Sequence, residues 1–332
     1  MKKTSAPSIV LVVVLLAVAV IANAQQPKKL PRIGYLSGRG APTTPGPSAE
    51  AFRQGLRDLG YTEGKNILIE YRYPEGRLDR VPGLVAELVQ LKVDVLVIVP
   101  LPAIRAAKQA TKTIPIVMVA TVDPVATGIV DSLARPGGNI TGLTTLSRDL
   151  SGKRLELLKE VLPGTSRIGV LWEAAAPAAA ISFKEYEAAA RALTVQLQSL
   201  ELEGPKPDLE GAFRAATKGH TQALIGVRSI LLARDLTKRI ADLAIKNRLP
   251  LMLEETEDVR AAGGLVSYSA NDAESFRRAA SYVDKILKGA KPADLPVQQP
   301  TKFELAFNLK TAKQIGVTIP PNVLARADKV IK

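Results

Sequence analysis

The chain has 332 residues, no cysteine, a single histidine and a formal charge of +13. Without cysteine there are neither disulfides nor thiolates. One histidine also rules against a zinc site, which needs several His, Cys or carboxylate ligands at set spacing. The basic excess raises nucleic acid or a membrane surface as partners. However, the Lys and Arg residues are scattered among Asp and Glu, without a basic block or interleaved aromatics, as on a solvated basic surface.

The N-terminus carries Lys2 and Lys3, an almost purely apolar run from Ile9 to Ile21, and Ala22-Asn23-Ala24 before Gln25. This pattern predicts a secretory signal peptide over residues 1–24, removed after Ala24. The apolar run is short for a membrane span, and no later segment is long and apolar enough for one. Cleavage removes two lysines and leaves the remainder at +11. Lacking the cysteine of a bacterial lipoprotein, the mature chain is expected to be soluble in the periplasm or secreted, where nucleic acid is largely absent.

From Arg32 the chain alternates β-branched runs with longer amphipathic segments. Strands are predicted at Arg32–Leu36, Asn66–Tyr71, Val93–Val99 and Ile116–Val119, with helices near Ser48–Leu59, Asp79–Leu91 and Pro102–Thr111. Such alternation predicts βαβ units and a parallel sheet. The scheme then restarts: RIGYL at Arg32–Leu36 is echoed by RIGVL at Arg167–Leu171. The second set runs through Arg167–Trp172, Ser182–Leu193, Val195–Leu200, Asp208–Thr217, Gln222–Val227, Ser229–Asn247 and Leu249–Leu253. Two similar α/β lobes follow from the repeated order. After a strand at Leu265–Ser269, Ala270-Asn271-Asp272 caps a helix over Asp272–Leu287 that stops at Gly289. A Pro-rich loop, an apolar run at Phe303–Asn308 and two short helical segments close the chain.

Catalytic motifs are largely missing. His220 lies just before a strand, at the amino end of the sheet, whereas the reactive crevice of such folds lies at the carboxyl end. There is no G-x-S-x-G elbow. Gly38 and Gly40 have G-x-G spacing, but Thr43 replaces the third glycine and Pro42, Pro45 and Pro47 prevent an immediate helix, which speaks against a dinucleotide. Glu254 and Glu255 are adjacent and point to opposite faces of a strand, so they are no obvious acid–base pair. No catalytic residue, metal or cofactor is expected.

What remains is a set of polar and aromatic residues at or just past strand ends: Ser37, Thr121 and Asp123 in the first half, and Trp172, Glu173, Arg228, Ser229, Glu254 and Tyr268 in the second. Each alone is compatible with a cap, a turn or a solvated charge. Converging from two lobes, they suit a ligand crevice with a few placed polar groups. Asp123 before Pro124 is also an ordinary helix start, so cap and ligand anchor both stand open for it.

IPIVMVATVDPVATGIVDSLARPGGNITGLT, KRLELLKEVLPGTSRIGVLW, AAGGLVSYS and YVDKILKGAKPADLPVQQPTKFELAFNLKTAKQIGVTIPP closely resemble a family of ABC-transporter substrate-binding proteins, some of which bind aromatic amino acids such as tryptophan. The resemblance covers nearly the whole mature chain. It implies a type I periplasmic-binding-protein fold, an α/β architecture of two Rossmann-like lobes with open parallel sheets. Three crossings are implied near Asn139–Thr145, Leu265–Asn271 and Pro300–Asn308. The lobes would comprise residues 30–143 with about 271–303, and 144–270 with about 304–332. The implied function is a monomeric periplasmic binder that carries a small polar or aromatic-containing solute, such as an amino acid or related carboxylate, to an inner-membrane ABC permease. A secreted hydrolase-like enzyme and a ligand-binding partner of a sensor system are the alternatives. Two departures bear on the ligand: Val122 stands where members commonly have Gly, and Glu173–Pro177 lacks the Asn found there in many members.

Overall fold

The computed structural model describes residues 29–332 apart from 39, 42, 76, 121–122, 145–149, 205, 228–233 and 301. The predicted signal peptide therefore lies outside the described residues. Five parallel strands form a first sheet in the order β2-β1-β3-β4-β5. They are β1 (Arg32–Leu36), β2 (Leu68–Arg72), β3 (Val95–Ile98), β4 (Ile116–Ala120) and β5 (Ile140–Thr144). Seven strands form a second, in the order β12-β11-β10-β9-β8-β6-β7. These are β6 (Arg167–Trp172), β7 (Gln196–Glu201), β8 (Ala223–Gly226), β9 (Leu251–Leu253), β10 (Val266–Ala270), β11 (Phe303–Asn308) and β12 (Lys329–Ile331). Only the β10–β11 pair is antiparallel.

The two sheets repeat one another. The order β2-β1-β3-β4-β5 recurs as β7-β6-β8-β9-β10, and the echoed RIGYL and RIGVL are the equivalent strands β1 and β6. The shared glycine has a steric cause. A Cβ on Gly34 would come within 2.8 Å of a Leu96 methyl, and one on Gly169 within 2.8 Å of methyls of Leu200 and Leu224.

Helices cover both faces of each sheet, as the buried central parallel strands require. In the first, α1 (Pro47–Asp58) lies on one face, while α2 (Val81–Gln90) and α3 (Leu101–Ala110) lie on the other. In the second, α4 (Leu150–Val161) and α5 (Pro177–Ala192) share a face with α10 (Leu309–Ile315) and α11 (Pro321–Leu324). The opposite face holds α6 (Leu209–Lys218), α7 (Arg234–Lys246) and α8 (Thr256–Ala262). The helix after β10, α9 (Asp272–Leu287), returns to the first sheet. Its Phe276, Ala279, Ala280 and Val283 pack with Ile33, Tyr35, Phe52 and Leu56.

The chain thus passes between the sheets three times: after Thr144, at Ala270–Asp272, and between Gln298 and Phe303. Each crossing read from the family resemblance contains a strand, and the passage follows or precedes it. The outer passages start side by side, with Thr144 N–H donating to Gln298 O (2.9 Å) and Gln298 N–H to Gly142 O (3.0 Å). Asn271 caps α9 by accepting the Glu274 N–H (3.0 Å), and its side-chain amide donates to Glu304 Oε1 of β11 (2.6 Å), tying the middle passage to the third.

The sequence reading missed β5, α4, α8 and β12, and started α5 five residues late, at Ser182 instead of Pro177. It also expected a helix after Asp123. Residues 124–128 make only a turn, closed where Gly128 adopts φ +67°, and no helix follows.

Candidate functional site

The carboxyl edges of the two sheets face one another at the passages. β10 runs to its carboxyl end at Ala270, and Asp272, two residues on, lies within electrostatic reach of the phenol of Tyr35, the penultimate residue of β1. From the other side, the first passage delivers α4, whose Arg154 reaches the carboxyl ends of β9 and β10. In doubly wound folds the ligand crevice lies outside such carboxyl edges.

On the first sheet, Ser37 follows β1 and is buried, its N–H donating to Arg72 O (3.2 Å). Beside it the edge is aromatic. Tyr35 and Tyr71 are register partners on neighbouring strands, with ring centroids 5.6 Å apart. Tyr35 also stacks on Phe52 at 5.5 Å, and Tyr71 on Tyr73 at 6.4 Å. Burial pushes the phenol of Tyr35 well above its ordinary value and that of Tyr73 up to about 12, so both stay protonated donors. Asp123 stands past β4. Its Oδ1 accepts the N–H groups of Val125 (2.8 Å) and Ala126 (3.1 Å), the bonds of an N-cap on a single turn. Thr121 lies outside the described residues.

On the second sheet, Trp172 ends β6. Its ring stacks on Phe183 of α5 at 4.6 Å and 8°, and its Nε1–H donates to Ser199 Oγ of β7 (2.8 Å). Glu173 follows and is buried, its carbonyl receiving the Ala176 N–H (3.1 Å). Arg228 and Ser229 lie outside the described residues. Tyr268, in β10, is half-buried with its ring stacked on Phe303 at 5.8 Å.

Glu254, just past β9, belongs to a buried network that the sequence reading missed. Its Oε1 lies 2.9 Å from Arg154 Nη1 and accepts the Tyr186 hydroxyl at 2.9 Å. Arg154 Nε donates to Tyr268 O (2.8 Å). Burial opposes the guanidinium charge, but the Tyr186 phenol and the Glu254 carboxylate outweigh it and raise its pKa. A sequence signal exists: Leu150, Arg154 and Leu158 sit at four-residue spacing, so the arginine occupies the apolar stripe of its helix. Glu255 is also buried, at the start of α8. His220 is exposed at the amino end of β8, away from this edge. Among the described residues no cluster of three or more His, Cys, Asp or Glu could hold a metal ion, and no helix is long and apolar enough to cross a membrane.

Comparison with known proteins places this architecture. A tyrosine-binding protein of Clostridioides difficile is 26% identical over 280 residues, covering 81% of this chain and 76% of the relative. A conserved domain protein from Vibrio cholerae O1 biovar eltor superposes with a TM-score of 0.81 at 30% identity, covering 91% of this chain and all of that one. An ABC domain from Streptococcus pneumoniae, solved in complex with L-Trp, has a TM-score of 0.80 at 24% identity over the same shares. The fold is that of type I periplasmic binding proteins. Residues 47–331 match the family described as ABC transporter substrate binding protein, and the chain belongs to that family of solute-binding proteins.

Proposed function

We propose that the protein is the solute-capturing component of an ABC importer. It is exported by cleavage after Ala24, works as a free monomer in the periplasm, and delivers its solute to an inner-membrane permease. The solute is a small amino acid or related carboxylate with an aromatic or other apolar part. It is held between two lobes, residues 30–143 with about 271–303, and 144–270 with about 304–332. The observation that carries the reading is the family match over 47–331 on a chain whose two repeated sheets are linked by three passages. The tyrosine-binding relative and the L-Trp complex favour an aromatic amino acid.

Within this reading Ser37, Thr121, Asp123, Arg228, Ser229 and Tyr268 are the residues assigned to solute binding. Trp172, Glu173 and Glu254 build its wall from the second lobe, where Trp172 and Glu254 are engaged by Phe183 and Arg154. Binding needs no covalent step. Val122 and the Glu173–Pro177 segment, where this chain departs from common family residues, would set its choice among solutes.

Titration calorimetry with L-tyrosine, L-tryptophan and the remaining amino acids tests the proposal, together with mass spectrometry of solute retained on natively purified protein. One-to-one binding with the solute recovered unchanged is expected. Conversion of the solute to product would overturn the transport reading.

A further inference from the structure

The carboxyl end of β10 is held by a side chain where the neighbouring strand has run out. β10 extends from Val266 to Ala270, but its pairing with β9 stops at Ser267 opposite Leu253, the last residue of β9. On its other side the pairing with β11 continues to Ala270 opposite Phe303. Tyr268 therefore lies beyond the last β9 partner, and its carbonyl accepts from Arg154 Nε at 2.8 Å. A backbone carbonyl at such a place needs a donor, and the guanidinium stands in for the missing strand.

The same guanidinium holds the residue that follows β9. Its Nη1 lies 2.9 Å from Glu254 Oε1, and the Tyr186 hydroxyl of α5 donates to that oxygen at 2.9 Å. Arg154 thus spans the gap left by β9, with one arm on Glu254 and the other on Tyr268, a reach that the rigid planar fork of arginine supplies and a single ammonium does not. The Arg154 side chain is 1% exposed, so its effect on a solute passes through the groups it holds. Tyr268 is half-buried, with its ring stacked on Phe303 at 5.8 Å, where β11 begins. Further along the chain, Asn271 caps α9 through the Glu274 N–H (3.0 Å) and donates to Glu304 Oε1 (2.6 Å). A shift of the Tyr268 carbonyl therefore moves its ring and the entry to the middle passage together.

We propose that Arg154 is a positioning residue for solute binding: by holding the Tyr268 carbonyl and Glu254 at a fixed separation, it sets the place of the Tyr268 ring without itself touching the solute. The inference rests on the amino-acid reading above and on the assignment of Tyr268 to solute binding within it. It gives the buried guanidinium a part in affinity that is separate from its part in stability.

The test is a double-mutant cycle read by calorimetry with L-tyrosine, on wild type, Arg154→Lys, Tyr268→Leu and the two combined. Arg154→Lys keeps a positive charge beside Glu254 and gives up the second arm. It is expected to weaken L-tyrosine binding about tenfold, within the range by which residues off a ligand modulate its affinity. In the Tyr268→Leu background the same change should alter affinity by less than about twofold, because coupled residues do not add their effects. Losses that simply multiply overturn the proposal, as does wild-type affinity in Arg154→Lys or in Tyr268→Leu. The second arm needs no solute: amide hydrogen exchange over residues 266–271, in Arg154→Lys and in Arg154→Met combined with Glu254→Leu, which removes the ion pair whole and strands no charge. Faster exchange over 266–271 with α9 unchanged is expected. Unchanged exchange there in both proteins overturns the proposal, and so does exchange raised evenly along the chain, which would leave Arg154 a stability role only. If wild type binds no L-tyrosine, the amino-acid reading fails while the exchange arm still judges the positioning.

Discussion

Arg154 Nη1 stands 2.9 Å from Glu254 Oε1 with both side chains buried, at 1% and 3% exposure. The pair joins the helix that follows the first passage to the strand ends that precede the second, through Glu254 and through Tyr268 O. Removing one partner strands the other as a buried charge, which costs about 3–5 kcal/mol. Arg154→Met is therefore expected to lose that much in urea unfolding. Glu254→Gln should lose less, since the amide oxygen still accepts from Arg154 and Tyr186. A double change, Arg154→Met with Glu254→Leu, should recover much of the loss, because paired apolar replacements of buried ion pairs are often neutral. A double variant no more stable than Arg154→Met alone would contradict this account.

Asp123 offers a cleaner separation of structure from binding. Its Oδ1 holds two backbone N–H groups on the turn after β4. Asn keeps an acceptor there and Ala does not. Asp123→Ala is expected to lose about 1 kcal/mol of stability and Asp123→Asn only a few tenths. Loss of affinity for L-tyrosine in Asp123→Asn would add a charge-dependent contact with the solute; unchanged affinity assigns the carboxylate to the turn.

Much of the fold was legible because its signals are local. RIGYL and RIGVL announced the repeat, the first matching β1 and the second opening β6, which runs on to Trp172, and Asn271-Asp272 announced α9 to the residue. The strands at the passages were not legible as strands. Ile140–Thr144 carries Gly142 at φ +135° and only five residues, and it earns its place by pairing with β4 and with Gln298, a contact distant in sequence. The turn after Asp123 failed for a related reason: Asp-Pro is a sound start signal, but Gly128 stops the helix after one turn, and nothing N-terminal to it says so. In the site, single residues near strand ends were readable, whereas Arg154 was hidden because its partners lie about 100 residues away on other elements.

Alkaline pH should erode stability in a defined window. Burial raises the phenols of Tyr73 and Tyr282 to about 12 from an ordinary value near 10. Below pH 10 neither the folded nor the unfolded chain ionises them, and their contribution to stability is complete. Between pH 10 and 12 the unfolded chain loses these protons and the folded one keeps them, so stability falls as pH rises. The slope is up to about 1.4 kcal/mol per pH unit for each such group. Urea midpoints from pH 8 to 11.5, read with tyrosinate absorbance, should stay level to about pH 10 and then drop as the absorbance rises with unfolding.

The echoed glycines supply a matched pair of core tests. Methyls of Leu96, Leu200 and Leu224 stand where a side chain on Gly34 or Gly169 would go. Gly34→Ala and Gly169→Ala should each lose about 1–3 kcal/mol by overpacking. Because the crowding atoms are ends of leucine side chains, Leu96→Ala in the Gly34→Ala background should cost less than Leu96→Ala in the wild type. Additive losses would contradict the proposed steric cause.

Trp172, the chain's single tryptophan, reports on its own surroundings. Its indole N–H donates to Ser199 Oγ at 2.8 Å, Ser199 Oγ in turn lies 3.3 Å from Glu201 Oε1, and the ring is stacked on Phe183. Ser199→Ala leaves the indole N–H at a 9% exposed residue without that acceptor and should cost about 1–3 kcal/mol, with a shift in tryptophan emission. Trp172→Phe keeps part of the aromatic stack and loses the donor, so a loss of about 1–2 kcal/mol is expected. If the ring serves the lobe and not the solute, Trp172→Phe leaves L-tyrosine affinity within about twofold, because the Ser199 and Phe183 contacts exist without ligand. A drop of tenfold or more in affinity, with the melting temperature unchanged, would instead put the indole against the solute. Emission from the wild type during titration separates the cases independently. A wall residue shifts little when solute binds, whereas a ring newly covered by an aromatic solute changes in intensity in step with the calorimetric isotherm.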